Sequence, residues 1–366
     1  MTPTIEPSRA GRDLTIDVAR GLAIIAIVAG HVLRGLSAAD LVDGRSAGYV
    51  ATDTLLYTFH LAVFAWLAGL FVRRGVERRG LRDYLWDRNA TFIYLYVLWS
   101  FVQGGVKVLT SSLVNTPITV LDIFDLVHPE GHLWFLPWLV IVTTIVAIAK
   151  PWSSLMRGVL TFLTSLIMSL VAWGYSGGVI GPEGASLWVF FTLGAWIGDS
   201  KFREVTSRFS WRVSAVMLLV ALAFFLVGFS VLSITPPTFG FEMRTPLSVG
   251  LGFLLSTIGV TCVLALARII SMFPVATRLF GYVGSRSLQI YLAHGIALSG
   301  ARIVLSLCGV QSLEAHLIVG FGAGLGFPLL LAWLASRLRI RVLLEPPAFL
   351  LPSGQRASER KSLTRS

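Results

Sequence analysis

The sequence has few charged residues and very few cysteines. Only 13% of its 366 residues are Asp, Glu, Lys or Arg, whereas about a quarter is usual in soluble domains, and 55% are hydrophobic. This composition excludes an ordinary soluble domain and predicts an integral membrane protein. The two cysteines, Cys262 and Cys308, both lie in apolar runs, so they indicate neither a disulfide framework nor a zinc site, and we predict no bound metal.

Long apolar stretches recur along most of the chain. A helix needs about 20 apolar residues to cross a bilayer. We predict an all-α fold, a polytopic membrane bundle of about ten transmembrane helices. The predicted spans are 15–37, 52–72, 89–109, 132–149, 156–174, 185–199, 211–233, 247–270, 283–306 and 315–336.

The basic residues follow a pattern that sets the orientation of these spans. The net charge is +11, and most Lys and Arg residues fall in alternate loops, such as "RRGVERRGLR" and "KFREVTSRFSWR". Because basic loops stay in the cytoplasm, both termini are predicted to face it, and the charge indicates no nucleic-acid partner. The expected parts are a cytoplasmic segment (1–14), a transmembrane domain (15–340) and a basic cytoplasmic tail (341–366), disordered at its end.

The first span contains charged residues within "DVARGLAIIAIVAGH". Arg20 and His31 are eleven positions apart, which places them on one helical face about 16 Å from each other along the axis. Asp17 lies one turn before Arg20, within pairing distance. An interfacial ion pair between Asp17 and Arg20, together with a hydrogen bond from His31 to a neighbouring helix, would explain these residues as purely structural. A reactive site would explain them equally well.

Further histidines occur in or at the ends of other spans. His60 lies at a depth similar to that of His31 on the next helix, His132 begins the fourth span, and Tyr291 and His294 share a face of the ninth. Ionisable groups inside a membrane are costly and usually functional, and histidine exchanges protons near neutral pH. This distribution predicts a polar cavity for chemistry or transport.

At these residues the sequence resembles the acyltransferase 3 family of membrane-bound O-acyltransferases. The first resemblance is the Arg-(ten residues)-His pattern formed by Arg20 and His31. The other matching stretches are "FHLAVFAWLAG" around His60, "HLWFLPWL" with His132 and Trp134, and "SRSLQIYLAH" ending at His294. The family often has Arg-x-x-Arg at the start of the third span. This chain has Arg88 at the first arginine position of that motif but Thr91 at the second.

The resemblance implies transfer of an acyl group, expected to be acetyl, from cytoplasmic acyl-CoA to a hydroxyl of a sugar, glycan or similar extracytoplasmic acceptor. His31, His60 and Arg20 are the expected catalytic residues, with His31 as general base. Arg20, Arg82 and Arg88 are expected to bind the donor, because arginine pairs well with phosphate. Acceptor contacts or supporting roles are expected for Asp17, His132, Trp134, Tyr291 and His294.

Two questions stay open at the level of sequence. A proton-coupled transporter or flippase would also place Asp, Arg and His within spans, although no paired halves or matching broken helices are evident. Direct transfer and a covalent acyl-histidine are both compatible with the residues. Acetyl-CoA is expected to act as a co-substrate, with succinyl-CoA as an alternative donor and with no permanently bound cofactor.

Overall fold

The computed structural model of this chain describes residues 14–114 and 117–351, and all regular secondary structure in these ranges is helical. The predicted all-α membrane bundle is therefore confirmed. Except for Leu14, the predicted segment 1–14 lies outside the described residues, as does the predicted tail from 352 onward. The helices are α1 (Leu14–Ser37), α2 (Ala47–Gly69), α3 (Val72–Arg79), α4 (Leu81–Leu109), α5 (Phe135–Ala149), α6 (Leu155–Val171), α7 (Trp188–Ser207), α8 (Trp211–Val231), α9 (Pro246–Ile270), α10 (Pro274–Ser285), α11 (Ser287–Leu307) and α12 (Leu313–Arg337).

Within the described ranges, eight helical segments are long and apolar enough to cross a membrane. They correspond to eight of the ten predicted spans, with ends that differ by up to eight residues. The other two predicted spans correspond to α6, which has 17 residues, and α7. Helix α7 is interrupted at Gly198, whose φ of 72° is in a region that L side chains rarely adopt. Its uninterrupted apolar part is therefore shorter than a full span.

Two helix boundaries differ from the predicted ones because hydropathy does not detect polar helical turns. Helix α4 begins at Leu81, eight residues before the predicted start, through the charged turns that contain Asp83, Asp87 and Arg88. Residues 274–285, predicted mostly as a loop, form α10, which begins with Pro274 at its first position. Proline suits this position because its φ is already helical and no hydrogen bond is lost.

Helix α1 lies at the centre of the bundle and packs against α2, α9, α10, α11 and α12. Its closest approach is to α10, where Gly21 and Gly284 face each other. A Cβ atom at Gly284 would lie 1.7 Å from the carbonyl oxygen of Asp17, and one at Gly21 would lie 2.2 Å from that of Phe280. Only glycine permits this contact, and it fixes the turn of α1 that contains Asp17 and Arg20.

The segment after α12 runs back across α4. Residues 342–350 present backbone carbonyl groups to aromatic side chains of α4. Tyr94 Oη donates to Val342 (2.9 Å), Trp99 Nε1 to Leu343 (2.9 Å) and Trp86 Nε1 to Leu350 (3.1 Å). These hydrogen bonds attach the end of the described chain to a helix from its first third.

Candidate active site

Three histidines lie together, one on α1, one on α11 and one in the short helical turn before α5. The ring centroids of His31 and His294 are 5.0 Å apart, those of His31 and His132 are 5.6 Å apart, and those of His132 and His294 are 4.3 Å apart. We call these three residues the histidine cluster. His31 is only partly buried, whereas His132 and His294 are buried. His31 is therefore the member most accessible to a ligand.

Backbone hydrogen bonds fix the surroundings of this cluster. His294 Nδ1 lies 2.7 Å from the carbonyl oxygen of Tyr291 and 3.0 Å from that of Ile290. Because a carbonyl oxygen only accepts, Nδ1 carries the proton, and in the neutral ring Nε2 keeps its lone pair. The hydroxyl of Tyr291 donates to the backbone carbonyl of His132 and so joins α11 to the turn before α5.

His60 lies near the cluster but does not stack directly on His31. The ring of Tyr57 lies between them, 4.6 Å from His60 and 6.4 Å from His31. Both His60 nitrogens are buried and make no hydrogen bond of normal geometry within the described chain. Tyr57 was not predicted as a site residue, because its role depends on a contact between helices.

Arg34 forms a further part of the site that the sequence did not indicate. Its Nε and Nη2 atoms donate to the two carboxylate oxygens of Asp53 at 2.7 and 2.8 Å. The guanidinium carbon lies 3.4 Å from the Tyr57 ring centroid and 4.9 Å from that of Phe239. This two-point pair holds α1 against α2 and fixes Tyr57 beside the histidines.

A second group of cations lies toward the other end of α1. Arg20 lies 3.9 Å from the Asp17 carboxylate and its guanidinium carbon is 4.8 Å from the Phe71 ring centroid. Arg88 lines the same cavity as Arg20, and its guanidinium carbon lies 4.5 Å from the Phe92 ring. Its Nε atom is buried without a hydrogen-bond partner among the described residues. Arg82 is exposed near the start of α4 and is not among the residues that line this cavity.

Two adjoining cavities connect these groups. The arginine cavity, about 290 Å³, is lined by Arg20 and Arg88. The histidine cavity, about 330 Å³, is lined by His31, His60 and His132. Four residues contribute to the walls of both: Ile27, Leu61, Phe135 and Tyr291. The cations and the histidines therefore lie along one nearly continuous path beside α1.

The far wall of the histidine cavity comes from loops. Trp134, Glu183 and Thr238 line it, and Thr238 Oγ1 is a buried atom without a hydrogen-bond partner in the described chain. Glu183 is buried and accepts a hydrogen bond from the backbone N–H of Gly178 at 2.8 Å. Burial raises the pKa of the Glu183 carboxyl. An unsatisfied buried polar group costs about 1–3 kcal/mol, so such groups around one cavity are typical of a site for a polar ligand.

Within residues 14–114 and 117–351 there is no group of three or more His, Cys, Asp or Glu side chains arranged to hold a metal ion.

Comparison with known proteins gives one family. The model of the acyltransferase 3 family, described as an acyltransferase domain, matches residues 13–337. No curated protein and no solved structure gives a significant match. The matched region contains the histidine cluster, both cavities and all twelve helices.

Proposed function

The chain belongs to the acyltransferase 3 family, and we propose that it moves an acyl group from acyl-CoA to a hydroxyl of a sugar, glycan or similar acceptor. The observation that carries this proposal is the pair of adjoining cavities, with Arg20 and Arg88 in one and the histidines in the other. In this assignment the arginine cavity receives the donor and the histidine cavity is where transfer occurs. Acetyl is the proposed group.

The arginine cavity suits the phosphate-bearing part of acyl-CoA. Arginine binds phosphate through its planar fork of donors, and a buried Arg88 Nε without a partner is a donor available to such an anion. The rest of the wall is largely apolar, for example Phe64, Leu67 and Leu139. Cations beside an apolar channel match a ligand with charged phosphates and a less polar arm.

The distance between the two groups matches an extended donor arm. Arg20 and His31 are separated by about 16 Å along α1. A pantetheine-like arm that runs past Ile27 and Tyr291, which line both cavities, would bring the thioester to His31. The arginines would then bind the donor far from the reacting carbon.

His31 is the proposed general base, and its chemistry balances without another reagent. Neutral His31 takes the proton of the acceptor hydroxyl while the oxygen attacks the thioester carbon. The carbon–sulfur bond breaks, and the CoA thiolate takes the proton back from the imidazolium. His294 and His132 act as positioning residues beside His31, and Tyr57 and His60 support them from α2. A correctly placed base contributes about 10²–10⁴-fold.

The distribution of basic loops supports an assignment of the donor and the acceptor to opposite sides of the membrane. Basic loops lie at the end of the bundle that contains Arg20, which favours a cytoplasmic position for the donor and for both termini. The loops around Trp134 and Glu183 would then face outward, where a polar acceptor approaches. We propose that the protein acts in the inner membrane of a bacterium on an extracytoplasmic acceptor.

Sealed membrane vesicles of known orientation test this function. Inside-out vesicles supplied with acyl-CoA, which does not cross the membrane, should show acyl transfer. Right-side-out vesicles should show transfer only when acyl-CoA is loaded within, and vesicles with His31→Ala should show none in either case. Transfer with donor supplied only from the extracytoplasmic face would overturn the orientation. Equal thioester consumption by wild type and His31→Ala would overturn the assigned base.

A further inference from the structure

A third cavity also includes His31 in its wall. It has a volume of about 270 Å³ and lies between α1, α11 and α12. We call it the Arg302 cavity. The lining residues that matter here are His31, Arg34, Gly295, Ser299, Arg302 and His316. Gly295, Ser299 and Arg302 recur at the three- and four-residue spacing of one helical face, so α11 presents them together.

The charge in this cavity is not balanced by its walls. Arg302 is partly buried and has no ion-pair partner in the described chain, and none of the lining residues is an acid. The other lining arginine, Arg34, already holds Asp53 through two hydrogen bonds. A guanidinium that lines a cavity with no acid beside it leaves an uncompensated positive charge there, so the Arg302 cavity favours an anionic ligand.

His316 adds a second polar requirement. Its Nε2 lies 3.0 Å from the carbonyl oxygen of Val310 and therefore donates to it. In the neutral ring Nδ1 is then an acceptor. His316 is only 1% exposed, and its Nδ1 is buried without a hydrogen-bond partner among the residues that the structure describes. A ligand hydroxyl in the cavity is a donor that would satisfy this atom.

We propose that the Arg302 cavity binds the charged part of the acceptor, which is therefore an anionic polyol such as an acidic or phosphorylated sugar. Arg302 holds the anionic group, and His316 Nδ1 accepts from a neighbouring hydroxyl. Because His31 lines both this cavity and the histidine cavity, the hydroxyl to be acylated lies at the base. The assignment of this ligand as the acceptor rests on the proposed acyl transfer. The anion site itself is argued only from the residues that line the cavity.

Binding without any acyl donor tests the site. The full chain in neutral detergent is titrated with glucuronate and with glucose, its uncharged counterpart. Glucuronate should bind at least about tenfold more tightly than glucose, and Arg302→Gln should lose about tenfold or more of that affinity. Arg45→Gln, which removes an exposed positive charge from the loop after α1, should bind as wild type does. His316→Phe should weaken glucuronate binding but leave binding of acetate, which has no hydroxyl, unchanged.

The outcomes separate the possible sources of the anion. Equal binding of glucose and glucuronate, or unaltered binding by Arg302→Gln, overturns the site. The headgroup of phosphatidylglycerol is also an anionic polyol, so the chain is compared in nanodiscs with and without this lipid. If only the lipid raises the unfolding temperature, and only when Arg302 is present, the acceptor assignment is overturned. Intact glucuronate binding with no transfer from any acyl-CoA would overturn the proposed function and leave the anion site standing.

Discussion

The imidazole rings of His132 and His294 lie 4.3 Å apart, one in the turn before α5 and the other on α11. Tyr291 links the two elements by donating to the His132 carbonyl. His31 from α1 completes the cluster within 5.6 Å of both rings. A site made from three separate elements keeps its geometry only if their packing is intact, and the following predictions separate chemistry from packing.

We expect His31→Ala to lower acyl transfer about 10²–10⁴-fold, because the variant lacks the proposed base. The measurement is the initial rate of acyl-CoA-dependent transfer by purified protein. His128→Ala is the matched control, since His128 is exposed and, within the described ranges, forms an ion pair only with Asp125, at 2.8 Å. Near-parental turnover in His31→Ala, or equal losses in both variants, would remove His31 from the proposed mechanism.

We expect Arg20→Lys and Arg88→Lys to raise the KM for acyl-CoA about tenfold each, because lysine keeps the charge but loses the fork of donors. The comparison is Arg82→Lys, which alters an exposed arginine outside the arginine cavity and should have a smaller effect. Steady-state kinetics at varied acyl-CoA give the result. If none of the three changes donor affinity, Arg20 acts only as the structural partner of Asp17.

We expect Gly284→Ala to destabilise the protein by about 1–3 kcal/mol or more and to weaken donor binding as well. The added Cβ would lie 1.7 Å from the Asp17 carbonyl oxygen, so α1 and α10 must separate near Arg20. Gly322→Ala is the control, because a Cβ at Gly322 meets no atom within 4 Å. Thermal unfolding in detergent measures the difference, and equal unfolding temperatures would contradict the close contact.

We expect Glu183→Gln to gain stability relative to wild type as the pH rises from about 4 to 7. Burial raises the pKa of Glu183 above the ordinary value of 4.5, so the folded protein holds this proton more tightly than the unfolded chain. Wild type therefore loses stability as the pH rises through that range, and glutamine, which can still accept from Gly178, does not. Unfolding temperatures across the range test this, with exposed Glu242→Gln as control. A constant difference between variant and wild type would contradict it.

The sequence predicted relationships within one helix better than those between helices. Helical periodicity placed Arg20 and His31 on one face, and hydropathy identified the spans that hold His60 and His294. Both inferences need only the geometry of a single helix. The meeting of His31 with His132 and His294 could not be derived in this way, because it depends on how three elements pack.

Other features left no signal in the sequence at all. Asp53 and Arg34 are 19 positions apart on different helices, and nothing in either residue indicates their pairing. Glu183 lies in a glycine-rich loop whose sequence is typical of an exposed turn. The sequence does not indicate that the Glu183 side chain is buried against the histidine cavity. Helix α10 was not predicted, because a segment of 12 residues with this polarity is too short and too polar to be recognised as a span.

The attachment of residues 342–350 to α4 also bears on when the protein becomes functional during synthesis. Helix α4 contributes Arg88 to the arginine cavity, but the opposite wall includes Leu288 and Tyr291 of α11. The hydrogen bonds from Trp86, Tyr94 and Trp99 reach carbonyl groups made later still. A ribosome must therefore deliver the chain as far as residue 350 before all of these contacts form, so a product that terminates before α11 inserts its first helices but never completes the arginine cavity.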